Sequence, residues 1–153
     1  MTTSADGSSI DSIIRAAYAV ISGLGKEPRD WDRERSLFLP GARLIPTAMK
    51  AGENESNLAP QFLDVDAYIT RVESYFREHG FYEREVARRT EQFGQIAHVW
   101  STYESRQRKD NQEPFMRGIN SFQLFHDGSR WWIVNIFWQH ESAAHPIPEK
   151  YEG

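Results

Sequence analysis

The spacing of apolar residues divides the chain into an N-terminal half with a helical period and a C-terminal half with a strand period. Apolar residues recur every three or four positions over residues 10–21 and 64–78, which predicts two amphipathic helices. Ser9 or Asp11 would cap the first helix, and Asp64 would cap the second. Each helix would pack through a single apolar stripe.

Two shorter elements and a loop are predicted in the first half of the chain. Residues 28–35 predict a short helix that packs through Trp31, and residues 42–46 predict a short strand that ends at Pro46. Small, polar and charged residues without a period follow at residues 47–60. We predict a loop there, lying over whatever opening the fold has.

The second half alternates with a period of two, which predicts long antiparallel strands. Residues 81–92 and 95–107 would pair around a turn at residues 93–94. Residues 114–140 would form a hairpin around the Asp-Gly turn at residues 127–128. The last strand is apolar on both faces, so both faces need a cover. Helices first and strands last are typical of an α+β fold with helices on one face of a curved sheet.

Length and terminal composition predict one domain with two extensions. A chain of 153 residues can bury about two thirds of its unfolded surface. We expect a disordered N-terminal segment at residues 1–9, a single domain at residues 10–140 and an extended tail at residues 141–153, which contains two prolines.

Composition excludes several classes of function. The chain has no cysteine, which excludes disulfides, thiolate catalysis and cysteine-based metal sites. A net charge of −4 gives no general attraction to nucleic acid or to anionic membranes. No apolar run reaches the roughly 20 residues of a spanning helix, and the N-terminus lacks the parts of a signal peptide. We expect a soluble cytoplasmic protein.

Three segments carry a resemblance to a known family. They are Ile-Ala-His-Val-Trp-Ser-Thr-Tyr-Glu-Ser at residues 96–105, Arg-Gly-Ile-Asn-Ser at residues 117–121, and Asp-Gly ahead of Trp-Trp-Ile-Val at residues 131–134. With the order of the elements, they resemble the nuclear transport factor 2-like superfamily, in a bacterial branch close to its polyketide-cyclase-like and ketosteroid-isomerase-like members. The resemblance implies a cystatin-like cone, in which three helices pack on the concave face of a strongly curved, mixed or antiparallel sheet.

The resemblance also implies a pocket inside the cone and a homodimer through the outer sheet face. The residues that would face the pocket are Ala97, Val99, Ser101, Tyr103, Ile133, Asn135 and Phe137. The residues that would form the dimer interface are Trp100, Phe122, Trp132, Val134 and Trp138. A shift of one residue in strand register would exchange the two sets.

A ketosteroid-isomerase-like site is only partly present. The family uses a base after the first strand and an oxyanion hole made by a tyrosine and an acid. Tyr18 matches the tyrosine and Asn120 falls near the acid, but the base position falls on Pro46, which cannot accept a proton. Tyr18 can also be interpreted as an ordinary core tyrosine.

No other catalytic or metal arrangement is complete. A limonene-epoxide-hydrolase-like site needs aspartates that the pocket positions lack, and a scytalone-dehydratase-like site needs paired histidines, whereas His98 and His126 lie on different strands. His140, Glu141 and His145 do not have the spacing of metal ligands. We predict no metal and no cofactor.

Arginine could supply the pocket with charge. With a turn at residues 93–94, Arg84 and Arg88 would lie opposite Tyr103 and Val99, where Arg88 could hold a ligand carboxylate. Alternatively, both arginines pair with acids on a solvated strand face. The ligand-binding candidates are Tyr18, Trp31, Arg88, Tyr103, Asn120 and Asn135.

The predicted function is therefore binding of a small, mainly apolar or carboxylate-bearing molecule in the cone. If the site is catalytic, we expect cofactor-free proton transfer of the isomerase, dehydratase or cyclase type. The alternative is a non-catalytic dimeric assembly or protein-interaction domain that uses its tryptophan-rich sheet face.

Overall fold

The protein is built from a six-stranded mixed sheet with three helices on one face. A computed structural model describes residues 5–48 and 58–153. In chain order the elements are α1 (Ile10–Ile21), α2 (Trp31–Ser36), β1 (Phe38–Ala48), β2 (Ala59–Pro60), α3 (Val65–Glu78), β3 (Tyr82–Phe93), β4 (Ile96–Arg106), β5 (Met116–His126), β6 (Trp131–His140) and a short 3-10 helix (Glu149–Tyr151). The strand order is β2-β1-β6-β5-β4-β3, with β1 and β6 parallel and all other neighbours antiparallel. The predicted α+β class is confirmed. No helix in the described ranges is long and apolar enough to cross a membrane.

The two long helices begin where their caps predict. The Ser9 side chain accepts from the Ser12 backbone N–H at 2.9 Å, and the Ser12 side chain accepts from the Ser9 N–H at 3.0 Å. Asp64 accepts from the Ala67 N–H at 2.7 Å. These bonds satisfy backbone donors that have no partner within the helix. The short helix α2 starts at Trp31, three residues later than predicted.

Strand β1 is longer than predicted at both ends. The Pro-Gly pair at residues 40–41 lies within the strand, where pairing with β6 shifts register between Phe38 and Arg43. Gly41 has a φ of 89°, which glycine adopts without strain. Thr47 and Ala48 pair with Pro60 and Ala59 of β2, so both ends of the predicted loop at residues 47–60 are strand, and its residues 49–57 lie outside the described ranges.

The turn between β3 and β4 lies one residue later than predicted. Phe93 pairs with Ile96, which leaves Gly94 and Gln95 as the two turn residues. Arg88 therefore lies opposite Ser101 and not opposite Val99, and a bulge between Glu85 and Ala87 shifts the register again. Arg84 then lies opposite Glu104, to which it donates at 3.0 Å, and it is exposed.

A bulge in β6 exchanges the two faces of that strand. Leu124 pairs with Ile133 and Gln123 pairs with Asn135, so Val134 is an extra residue. Beyond it, the even-numbered residues face the helices. The predicted inward positions of Asn135 and Phe137 are therefore wrong, because a bulge reverses the alternation that follows it.

Two residues of the predicted outer set also lie inside. Phe122 pairs with Val99 and is 1% exposed, and directly opposed residues share one face of a sheet. The Phe122 ring contacts the ring of Tyr18 on α1, with 6.2 Å between centroids. Trp138 lies beyond the bulge, and its ring meets that of Tyr68 on α3 at 6.2 Å.

The described part of the N-terminal segment is packed and not disordered. The Arg33 guanidinium donates to both carboxylate oxygens of Asp6 at 2.9 and 3.0 Å. The Trp131 N–H donates to the Gly7 carbonyl at 2.8 Å, which extends the hydrogen bonding of β6. Residues 1–4 lie outside the described ranges.

The C-terminal tail at residues 141–153 crosses the outer face of the sheet. The Thr102 hydroxyl donates to the Tyr151 carbonyl at 2.7 Å, and the Tyr151 ring lies 5.8 Å from that of Trp100. Arg117 donates to Glu152 at 2.5 Å. Thr102 is only 1% exposed as a result, so the chain covers part of its own outer face.

Candidate functional site

A cavity of about 390 Å³ lies between the inner face of the sheet and the helices. Its walls are mostly apolar and aromatic, with contributions from all three helices and five strands. The apolar walls include Ile21, Phe38, Leu44, Phe76, Phe122 and Ile136. Such a cavity, with a few polar groups, is the usual form of a small-molecule site.

The first polar group is a buried triad of neutral side chains. The Tyr18 hydroxyl lies 2.7 Å from the Ser101 hydroxyl, and the Asn120 amide nitrogen donates to the Tyr18 oxygen at 3.0 Å. Burial, together with the nearby charge of Glu83, raises the pKa of the Tyr18 phenol far above its usual value. Tyr18 therefore remains protonated throughout the physiological range.

A buried glutamate on α2 forms part of the cavity wall. Glu34 is 3% exposed, and its carboxyl has no hydrogen-bond partner within residues 5–48 and 58–153. Burial raises the pKa of Glu34 to about 8, because a charged carboxylate is poorly solvated among apolar groups. The carboxyl is mostly protonated at neutral pH.

A second carboxyl reaches the cavity from β3. Glu83 accepts from the Ser105 hydroxyl at 3.2 Å, and burial raises its pKa to about 8 against the opposing effect of that bond. Tyr68 also lines the cavity; burial, followed by the charges of Glu34 and Glu83, raises its pKa well above the usual value. Both carboxyls therefore line the same cavity as Tyr68.

Neither glutamate is among the predicted cavity residues. Glu34 lies within a run of charged residues that favours a solvated face, and Glu83 is one of the acids with which Arg84 and Arg88 could pair on a solvated strand face. One signal for Glu34 was present, because Trp31 precedes it by three residues and such residues share a helix face. The side of α2 that carries an aromatic residue into the core also carries Glu34.

Tyr103 and His140 form a further polar pair at the cavity. The Tyr103 hydroxyl lies 2.9 Å from Nδ1 of His140, and burial lowers the pKa of His140, which favours the neutral ring. Gly118 makes room for this pair, because a Cβ there would lie 2.4 Å from the Tyr103 hydroxyl oxygen. His140 lies at the exposed end of β6, and its side chain also lines the cavity.

Four of the six predicted ligand-binding residues lie at or next to the cavity. Tyr18, Tyr103 and Asn120 all line the cavity. Trp31 packs behind its wall, where its ring stacks on that of Phe76 with 6.2 Å between centroids.

Arg88 and Asn135 lie apart from this cavity. Arg88 is bound by Glu85 at 2.7 Å and by Asp11 at 3.3 Å, so its charge is already paired. Asn135 lies on the outer face, where its amide nitrogen donates to the side-chain oxygen of Gln123.

Two of the remaining predicted interface residues, Trp100 and Trp132, have partners in their own chain, and the third, Val134, is the bulge residue. Trp100 lies against the tail residue Tyr151. Trp132 donates from Nε1 to Asp127 at 2.8 Å, and the Arg130 guanidinium lies 3.7 Å from the centre of its ring. Across the described ranges, no group of three His, Asp or Glu side chains could hold a metal ion.

Comparison with known proteins identifies the fold. No family model matches the chain, and no curated protein matches it. An NTF-2-like protein of unknown function from Silicibacter pomeroyi is similar in structure, with a TM-score of 0.57 and 16% identity, over 86% of this chain and 92% of that one. The chain has an NTF2-like fold.

Two further solved structures agree with this fold. A protein of unknown function with a cystatin-like fold from Nostoc punctiforme matches with a TM-score of 0.61 and 10% identity, over 90% of this chain and 96% of that one. An NTF2-like protein from Methylobacillus flagellatus matches with a TM-score of 0.52 and 16% identity, over 89% and 99%. The expected NTF2-like, cystatin-like cone is confirmed; identities this low concern the fold alone.

Proposed function

We propose that this protein binds a small, mainly apolar molecule in the cone cavity and transfers a proton on it without a cofactor. The observation that carries the proposal is the pair Glu34 and Glu83 in the wall of an apolar cavity. Each has a pKa of about 8, so both its acid and its base form are populated near neutral pH. Carboxyls tuned in this way are the usual acids and bases of enzymes.

Isomerase-, dehydratase- and cyclase-type reactions share a step that this pair can perform. One ionised carboxylate removes a proton from carbon beside a carbonyl group, while a neutral carboxyl donates a hydrogen bond to the carbonyl oxygen. The Pro46 position lacks a base, but Glu83 and Glu34 supply carboxyls from other elements. A carboxylate-bearing ligand has less support, because Arg88 is paired elsewhere.

The test is deuterium exchange from D₂O into small apolar ketones, with and without a hydroxyl group, followed by NMR. The protein should accelerate exchange for at least one ketone, with a rate that rises through about pH 8. Glu83→Gln or Glu34→Gln should slow it about 10²- to 10⁴-fold, whereas the exposed control Glu91→Gln should not. Binding without exchange would contradict the catalytic part of the proposal.

A homodimer through the outer sheet face is a second proposal. Phe62 and Phe137 are 68% and 46% exposed and border one surface depression with Ile45, which favours burial against a second copy. Phe137→Ser should convert a dimer to a monomer in sedimentation at micromolar concentration. Leu24→Ser, at a 64% exposed apolar position that borders neither this depression nor β6, is the control, and a monomeric wild type would contradict the proposal.

A further inference from the structure

The hydrogen bonds that begin at Glu85 on β3 have a fixed direction. The Arg88 guanidinium donates from Nε to both oxygens of Glu85, at 3.0 and 3.1 Å, and from Nη2 to one of them at 2.7 Å. Because a guanidinium only donates, it holds Glu85 as an acceptor. The Ser101 hydroxyl lies 2.5 Å from the other Glu85 oxygen and donates its single proton to it.

Each following group is left with one role. The Ser101 hydroxyl uses its single proton in the hydrogen bond to Glu85. At 2.7 Å from Tyr18 it can therefore only accept a hydrogen bond from the Tyr18 hydroxyl. The Tyr18 hydroxyl uses its own proton in the hydrogen bond to Ser101, and its oxygen accepts a hydrogen bond from Nδ2 of Asn120 at 3.0 Å. This orients the Asn120 amide, whose Oδ1 has no protein partner within the described ranges and belongs to a residue of the cavity wall.

We propose that Glu85 is a positioning residue that makes the cavity selective for a ligand with a hydroxyl group, which donates to Oδ1 of Asn120. The inference rests on the proposed function, since it requires an apolar ligand in the cone cavity. It reverses the role expected for Tyr18. The Tyr18 proton is directed away from the cavity towards Ser101, so Tyr18 orients an acceptor and does not donate to the ligand.

Replacing one carboxylate oxygen of Glu85 by an amide nitrogen should reverse the direction of every hydrogen bond from residue 85 to Asn120. In Glu85→Gln, the two shorter bonds from Arg88 hold the amide oxygen, the longer third bond is lost, and the amide nitrogen takes the position that faces Ser101. Ser101 then accepts from Gln and donates to Tyr18, and Tyr18 donates to Asn120. The Asn120 amide turns over and presents its nitrogen to the cavity. In Ser101→Ala, the Tyr18 proton is released from Ser101 and turns to Asn120 with the same result.

The experiment compares two probes that differ in one hydrogen-bond donor, 2-naphthol and 2-methoxynaphthalene. Dissociation constants are measured by calorimetry for the wild type, Glu85→Gln, Ser101→Ala and the control Glu91→Gln. The difference in water solubility between the probes is common to all four proteins and cancels in the comparison. The preference for 2-naphthol should be about tenfold greater in the wild type and in Glu91→Gln than in the other two variants.

The outcomes separate this inference from the proposed function. An equal preference in all four proteins, or equal weakening of both probes in the two variants, would give Glu85 a merely structural role and overturn the inference. Tight binding of both probes to the wild type without a donor preference would also overturn it, while leaving the cavity as an apolar site. Binding of neither probe to the wild type would overturn the proposed ligand site and this inference with it.

Discussion

The phenol oxygen of Tyr18 lies 2.7 Å from the hydroxyl oxygen of Ser101, although 83 positions separate the two residues in the chain. Tyr18 belongs to α1 and Ser101 to β4, so this contact fastens the helical layer to the sheet. The two residues are 6% and 0% exposed. Because Tyr18 also lines the cavity, the groups that hold the layers together also shape the candidate site.

Tyr18→Phe should destabilise the fold while leaving the ring packing intact. The variant leaves the Asn120 donor without its acceptor, and an unsatisfied buried group costs about 1–3 kcal/mol. Urea unfolding of the variant measures this change in the free energy of unfolding. Tyr82→Phe on β3 is the control, since no hydrogen bond of its hydroxyl occurs in the described ranges. Equal losses in the two variants would show that the buried bonds do not stabilise the layers.

Glu34 should make the protein less stable as pH rises. Its pKa is about 8 in the folded protein and about 4.5 in the unfolded chain. The folded state thus keeps a proton that the unfolded chain releases, and this stabilisation is complete below about pH 4.5 and lost by about pH 8. Glu83 acts in the same direction. Glu34→Gln should remove up to about 1.4 kcal/mol per pH unit from that decline.

Urea unfolding at pH 5, 6, 7 and 8 measures the slope, which does not depend on any constant cost of burying the amide. The control is Glu78→Gln, at the exposed end of α3, which should retain the wild-type slope. Parallel curves for Glu34→Gln and the wild type would mean that Glu34 is ionised in the folded protein.

Gly118→Ala should disrupt the contact between Tyr103 and His140. The added Cβ would lie 2.4 Å from both the Gln139 carbonyl and the Tyr103 hydroxyl. Overpacking of this kind costs about 1–3 kcal/mol. Gly41→Ala is the matched control, since it meets no atom within 4 Å and adds only the strain of its positive φ. A smaller loss of stability in Gly118→Ala than in Gly41→Ala would contradict this arrangement.

The bulge in β6 predicts opposite outcomes at two neighbouring residues. Ile136 is 8% exposed and lines the cavity, so Ile136→Ala should cost about 2–5 kcal/mol of unfolding free energy. Phe137 is 46% exposed on the other face, so Phe137→Ala should cost far less in the monomer. Chemical denaturation of both variants is the measurement. A larger loss of stability in Phe137→Ala than in Ile136→Ala would contradict the bulge and favour the regular alternation of β6.

Asp127 should stay ionised in acid. Hydrogen bonds from Nε1 of Trp132 and from the backbone N–H groups of Ser129 and Arg130 lower its pKa well below the usual range. Stability from this group is present above the ordinary aspartate pKa and is lost only at lower pH. NMR titration of the side-chain carbon should show a higher pKa in Trp132→Phe. An unchanged titration would exclude the indole as the main cause.

Local signals in the sequence were sufficient for most of the fold. Ser9 and Asp64 mark helix starts because their side chains satisfy free backbone donors, and Gly128, with a φ of 101°, permits the hairpin turn. A bulge such as that at Val134 has no comparable local cause, since it depends on how β6 fits its neighbours. Tyr18, Tyr103 and Asn120 lie on elements without this bulge, and they line the cavity as predicted. Asn135 follows the bulge, so it lies on the opposite face from the one predicted.

The glutamates were harder to predict for a different reason. Whether an acid is solvated or buried depends on what packs over it, and charge patterns describe only its neighbours in the chain. Glu34 is buried because α2 lies between α1, α3 and β1, which is a property of the assembled layers.

The tail that crosses β4 is part of the folded domain. Thr102 and Trp100 are covered by Tyr151 and its neighbours, although regular sheet structure ends at His140. A shortened protein that ends at His140 would lack this cover, so Thr102 and Trp100 would be exposed to solvent. Its newly exposed apolar surface could bind a second copy or a ligand. Dimerisation or binding measured on the shortened protein would therefore not describe the full-length chain.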